Sequence, residues 1–288
     1  RYAFRNDKNY YRNTCHLCKK GIISIYSPDK PIPVLCVECF WSDQWSPLKY
    51  GQDFDFTRPF FPQYQEMRAK VPRLAIFNTQ SENSDFTVHS SRNRNCYMGS
   101  SLVDSEDVHY SDFATNCRDC MDLLFCTRME MCYQCVESHD CANSNYLELC
   151  SNVSDCFLAF DCKGSKRLVG CVSLRNRKNH ILNQPASKEE CFEIIQKLKN
   201  DPAFFREFKE KYEALKLAMP KRDAWTTNTE KCSGNYITNA KNAHFAFHLH
   251  DGEDCRYIYA CRNVRDGYDV TQVGDGEFLY EVKAAVDL

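Results

Sequence analysis

A chain of 288 residues with 43% apolar and 26% charged side chains has the composition of a folded domain rather than of a disordered segment. Its net charge of −2 excludes a chain-wide field for nucleic acid or for an acidic target, and no run of about eighteen apolar residues is present to cross a bilayer as a helix. The nineteen cysteines are too many, and odd in number, for a small disulfide scaffold; in a long chain with no visible signal segment they point to reduced thiols and a cytoplasmic setting.

In chain order, the first element is a basic arm. Arg1, Arg5, Lys8, Arg12, Lys19 and Lys20 stand against a single acid, Asp7, with Tyr2, Phe4, Tyr10 and Tyr11 between them. Cations interleaved with aromatics suit a phosphate backbone and stacked bases. The same pattern also suits a solvated face whose tyrosines pack on a neighbouring domain, and both readings stand here.

Within and after that arm come CHLCKKG and VLCVECF, which place Cys15, Cys18, Cys36 and Cys39 at the C-x2-C-x17-C-x2-C spacing of a four-cysteine ribbon. Each CxxC turn aims two thiolates at one point, and two turns complete a tetrahedron around one Zn²⁺. Gly21 is expected to supply the positive φ of the first turn. Four thiolates close the coordination sphere, so the zinc is expected to be structural. The ribbon with its arm spans 1–50. An aromatic and Pro-rich linker, 51–74, is expected to pack the ribbon on the next domain through residues such as Phe54, Phe56, Phe60, Phe61 and Tyr64, continuing from Trp41, Trp45 and Tyr50 of the ribbon; a ligand groove is the other reading.

From Cys96 to Cys171 every cysteine sits at a position divisible by three, and the other residues in that phase are small or apolar. A helix repeats at 3.6 and a strand at 2, so neither gives a strict three. A narrow β-solenoid does, with the phase pointing inward. Several cysteines also recur at twenty-one residues, among them Cys120, Cys141 and Cys162, which predicts coils of about 21 residues over 75–185. It also predicts an outer column of Asp119, Asp140 and Asp161. The CxxC pairs inside this region are then read as buried small residues, with a metal or redox ladder as the other reading.

Ser187 to Glu190 forms a capping box ahead of an apolar period of helical spacing, and Asp201-Pro202 opens a second helix, so a helical pair interrupts the coils over 186–220. The triplet phase returns over 221–288, with only Cys232 out of phase. His244, His248 and His250 lie in this last part beside Asp251, Glu253 and Asp254. They are the candidates for a second metal site, of acyl-transfer or hydration type, against the plainer reading of solvent-facing histidines.

The fold class expected is therefore mainly β: a four-cysteine zinc ribbon followed by a single-chain β-solenoid, interrupted by a helical pair. The ordered motifs RNDKNYYRNTCHLCKKGIISIYSPDKPIPVLCVECFWSDQW, YGQDFDFTRPFF, CVSLRNRKNHILNQPASKEE and KCSGNYITNAKN resemble an uncharacterised zinc-ribbon plus Cys/Asn-rich β-solenoid family of predicted proteins from uncultured small-genome bacteria. The resemblance covers essentially the whole chain, with Cys15, Cys18, Cys36 and Cys39 matching the family's zinc motif, and it implies architecture but no activity. The expected function is a non-enzymatic, zinc-binding scaffold for a protein or nucleic-acid partner, away from membranes. The alternatives are an enzyme at His244/His248/His250 and a self-assembling structural solenoid.

Overall fold

A computed structural model describes residues 9–84, 86–258, 261, 264–270, 273–274 and 276–282. Strand predominates over helix, and the chain divides into two compact units, Arg1–Met219 and Pro220–Leu288.

The first unit opens with an antiparallel hairpin, β1 (Tyr11–Thr14) and β2 (Gly21–Ser24). After β3 (Val34–Leu35) and the short α1 (Val37–Phe40), the chain runs irregularly to α2 (Phe60–Lys70). β4 (Arg73–Leu74) then pairs in parallel with β3. This pairing, with Ile25 N–H donating to Ala75 O at 3.1 Å, fixes the hairpin region to the start of a long parallel ladder.

The ladder contains β5 (Asn78–Thr79), β6 (Ser90–Ser91), β7 (Ser100–Val103), β8 (Glu106–His109), β9 (Asp112–Thr115) and β10 (Arg118–Val136). It continues through β11 (His139–Glu148), β12 (Phe157–Phe160), β13 (Lys166–Val172) and β14 (Lys178–Ile181), and β15 (Gln184–Pro185) closes it in antiparallel fashion. The register is constant. Asn78 pairs with Ser90, Ser100 with Asp112, Cys126 with Ala114, Met129 with Cys141, Ala159 with Cys171, each a step of twelve residues.

The repeat is thus twelve residues, not the expected twenty-one, and Cys120 lies beside Val108 rather than over Cys141. Asp119, Asp140 and Asp161 consequently fall in different columns; the partner of Asp140 at the twelve-residue step is Arg128. Any multiple of three keeps cysteines in the inward phase, so their spacing alone leaves the length of a row open. What fixes it is the backbone. Every third residue from Gln80 to Leu182 is left-handed, with φ between 45° at Asn83 and 63° at Gly170. Each such residue turns the chain, and four turns of three residues complete one twelve-residue row.

This geometry explains the thiols and hydroxyls inside. In each triplet two backbone N–H groups reach neighbouring rows, as with Arg94 N–H to Ser105 O at 3.0 Å and Asn95 N–H to Glu82 O at 3.1 Å. The N–H of the inward residue points into the wall and needs another acceptor. Cys96 N–H finds the Ser84 hydroxyl at 3.2 Å, Leu102 the Ser90 hydroxyl at 3.2 Å and Leu123 the Ser111 hydroxyl at 3.0 Å. Sulfur also serves: Leu168 N–H lies 3.4 Å from the Cys156 Sγ. Inward thiols in turn donate to carbonyls, as Cys126 does to Leu124 O and Cys135 O, both at 3.4 Å. Small side chains that both accept and donate fit such a site, and Cys96 to Cys171 are accordingly buried and free.

Outward columns pair at the same twelve-residue step. Arg92 forks onto Asp104 at 2.6 and 2.8 Å, Arg94 meets Glu106, and the Phe113 and Phe125 rings stack with centroids 4.5 Å apart.

α3 (Lys188–Asn200) and α4 (Pro202–Ala218) begin where expected. The Ser187/Glu190 capping box is formed at both ends, and the Asp201 carboxylate accepts from Ala203 and Phe204 N–H. The pair flanks the ladder, packing against β12, β13 and β14. It buries Cys191, Leu198, Phe208 and Tyr212 of its own, and Phe157, Phe160, Val169 and Val172 on the ladder are buried as well. Gly170 is required there, because a Cβ would stand 2.6 Å from Phe208 Cε1.

In the second unit β16 (Thr226–Thr227), β17 (Gly234–Thr238) and β18 (Ala246–His250) form another parallel set. β17 and β18 keep the step of twelve, but Thr226 pairs with Ile237, a step of eleven. One residue is missing between Glu230, which pairs with Lys241, and Gly234, which pairs with Ala246. That is why Cys232 falls out of the triplet phase while still donating to the carbonyl two residues back, Glu230 O at 3.3 Å, as inward cysteines do. Ile237, Ala240, Ala243, Ala246, Leu249 and Cys255 are buried as the returning phase predicts.

Candidate metal centre

The β1–β2 hairpin is closed by Cys15 N–H to Lys20 O at 2.9 Å and Lys19 N–H to Cys15 O at 3.0 Å. Lys19, with φ of 62°, takes the left-handed position, and Gly21 is the first residue of β2 instead. The second turn is a helix start: Cys36 caps α1, its Sγ accepting Cys39 N–H at 3.4 Å. His16 N–H to Val34 O at 2.7 Å and Cys36 N–H to Cys15 Sγ at 3.4 Å draw the turns together.

All four sulfurs, of Cys15, Cys18, Cys36 and Cys39, lie within 4.8 Å of one another, and Cys18 Sγ is 3.9 Å from Cys36 Sγ. A tetrahedral ion with metal–sulfur bonds of about 2.3 Å asks for sulfurs roughly 3.8 Å apart, so this set could hold one metal ion with small adjustment. Cys15, Cys36 and Cys39 are buried and Cys18 is exposed, with Leu17, Ile22, Phe40 and Trp45 packed around them. Burial works against ionisation of Cys15, but N–H donation from Cys36, Cys18 and Leu17 outweighs it and brings the thiol down to about 6. Burial pushes the Cys36 thiol up, and the neighbouring Cys39 and Cys15 thiols add to that shift. Amide N–H groups aimed at sulfur favour the thiolate, which is the metal-binding form.

Around the centre, Arg12, Lys19 and Lys20 are exposed, Arg12 on β1 opposite Ile23. Arg1, Arg5 and Lys8 lie outside the described residues. Tyr10 packs edge-on against Phe86 and donates to its carbonyl at 2.6 Å; burial, with the Asp112 carboxylate nearby, raises its phenol to about 12.

The aromatics after the ribbon do not form the buried packing layer expected of them. Phe56 is 91% exposed, Phe61 69% and Trp41 63%. A polar residue holds this segment instead. Gln63, the buried residue of α2, accepts Asp55 N–H at 2.9 Å and donates to the carbonyls of Asp55, Arg58 and Pro59. With the inward face of α2 occupied by an amide, Phe60, Phe61 and Tyr64 turn outward, and the Phe60 and Tyr64 rings stack with centroids 5.8 Å apart.

The three histidines do not converge. His248 stacks on Tyr236 at 4.7 Å and His250 meets Asp251 at 2.9 Å. Among the described residues the four cysteines are the one group of three or more His, Cys, Asp or Glu side chains placed to share an ion. No described helix is long and apolar enough to cross a membrane. No protein-family model matches the chain, and no curated protein matches it.

Proposed function

We propose that this protein is a non-enzymatic, zinc-binding scaffold that carries a macromolecular partner on a β-solenoid of twelve residues per coil. The observation that carries the reading is the four-thiol set of Cys15, Cys18, Cys36 and Cys39. Filled by an ion it has no open position for a substrate, so its work is to hold the ribbon's shape. Zinc is the ion of choice because a tetrahedral thiolate set suits it and demands no redox chemistry. A reducing, cytoplasmic setting belongs to the same reading, supported by the free state of all nineteen cysteines. The unbroken step of twelve in the ladder supports the solenoid, whose walls are long, flat and repetitive, and therefore suited to docking. Exposed Arg12, Lys19 and Lys20 beside the centre support nucleic acid as partner of the ribbon.

Metal analysis of protein purified without added metal tests the centre: one zinc per chain is expected, released by a chelator with four thiols becoming reactive. A ratio of zero under reducing conditions, or retention of zinc after Cys15→Ser with Cys36→Ser, sinks it. Deleting residues 129–140 tests the coil, since removal of a twelve-residue row should leave a cooperative fold, whereas removal of twenty-one residues should not. Gel shifts with Arg12→Gln, Lys19→Gln and Lys20→Gln test the ribbon's nucleic-acid role; undiminished binding excludes it.

A further inference from the structure

The charges of the first ladder are balanced in number but not in place. From Asp85 to Asp161 the sequence holds thirteen acids and four bases; from Lys163 to Lys178 it holds six bases, Lys163, Lys166, Arg167, Arg175, Arg177 and Lys178, and no acid. Early in the ladder, charges in one outer column alternate at the row step: Glu82 beside Arg94, Arg94 beside Glu106, Glu106 beside Arg118. Opposite signs directly across a strand pair stabilise it, and like signs cost. Further along, the same column changes to Lys166 directly beside Lys178. One turn away, Lys163 stands directly beside Arg175. The two like-charged pairs flank the turn at Gly164 and Asn176, both left-handed and exposed.

Internal partners neutralise only part of this edge. Arg175 forks onto Asp161 at 2.7 Å to both oxygens, and Lys166 lies 3.3 Å from Asp155. Lys163, Arg177 and Lys178 meet no carboxylate among the described residues, and Arg177 and Lys178 are exposed. A cleft of about 670 Å³ between this end of the ladder and α3 continues the edge. Lys166, Arg167, Lys188 and Lys199 line it together with Phe192, which is 63% exposed; Asp155, Glu189 and Glu193 also face it.

We propose that this basic edge, Lys163–Lys178 with the adjoining cleft, is a second docking surface, for the phosphodiester backbone of a single-stranded nucleic acid. It stands independently of the ribbon arm. Like-charged pairs at the row step, in a column that alternates in sign from Glu82 to Arg118, cost stability that an external polyanion recovers. An exposed ring among cations offers a base a stacking platform. Four ladder acids, Asp104, Glu106, Asp140 and Glu148, are already paired with Arg92, Arg94, Arg128 and Lys216, which leaves fewer for a second copy's edge.

The test is fluorescence anisotropy of the full chain with labelled single-stranded oligouridylate and oligothymidylate across a salt series. Lys163→Gln/Arg177→Gln/Lys178→Gln is expected to weaken binding at least about tenfold and to lower the salt slope by about two to three. Phe192→Ala should weaken binding further without changing that slope. Relieved of repulsion, the triple variant should melt no lower than the parent, and a lower melting temperature contradicts the proposal. Arg12→Gln/Lys19→Gln/Lys20→Gln, run beside it, separates the surfaces: loss there with none in the edge variant overturns this proposal and leaves the ribbon reading intact. Equal affinity for poly-glutamate, or a change confined to oligomeric state by light scattering, also overturns it.

Discussion

Ser144 and Cys156, one row apart, share the bond that governs the interior: the Cys156 N–H donates to the Ser144 hydroxyl at 3.0 Å, and that hydroxyl donates onward to Ala142 O at 2.7 Å. Ser144→Ala strands the buried amide and is expected to cost about 1–3 kcal/mol. Ser144→Cys, which keeps an acceptor as Cys156 does for Leu168, should cost under about 1 kcal/mol on the same scale. Urea unfolding of the three proteins measures the order; equal losses would show that the hydroxyl only fills space.

Gly170 combines a φ of 63° with a Cβ position 2.6 Å from the Phe208 ring. Gly170→Ala is expected to cost about 1 kcal/mol for the backbone and about 1–3 more for overpacking. The damage should appear first as release of α4, read as new protease cuts between 187 and 219 while the ladder stays protected.

His139 gives a pH dependence whose sign follows from its setting. Burial lowers its pKa, Asp140 opposes this, and Arg128 and Lys163 lower it further, while the ring sits 2.8 Å from the Thr127 hydroxyl. As pH falls through the ordinary histidine range near 6.5, the unfolded chain takes a proton that the folded one refuses, so stability should drop. His139→Gln should flatten the stability profile between about pH 7 and 5. An unchanged slope would assign it to other groups.

The Gln63 side chain satisfies several backbone groups of the 55–59 segment at once. Gln63→Ala should leave them short of partners, at about 1–3 kcal/mol, and open that segment to proteolysis. Gln63→Leu should do no better, since it is hydrogen bonding and not bulk that is lost.

The four-cysteine set was legible because a CxxC fixes two sulfurs through local geometry, and the two turns then had only to meet; which residue of the first turn is left-handed, Lys19 rather than Gly21, was not. The inward phase of the ladder was legible for a similar reason: a turn every third residue is local. Row length was not, since it depends on how many turns close a row. Its signal lay in the outer residues, in Glu82, Arg94, Glu106 and Arg118 at twelve-residue steps, rather than in the cysteines. Phe60, Phe61 and Tyr64 misled because large rings usually go inside; on α2 a glutamine with the right reach takes that place.

A ladder closed every twelve residues also sets how the chain comes to fold. Its partners are near in sequence, so closing each row costs little loop entropy, and a finished row is a template for the next. Growth from one end, as the chain leaves the ribosome, would shield each thiol soon after it emerges. Within the second unit the eleven-residue step ahead of Gly234 breaks the regular row by one residue, and zipper-like growth of that unit should pause there.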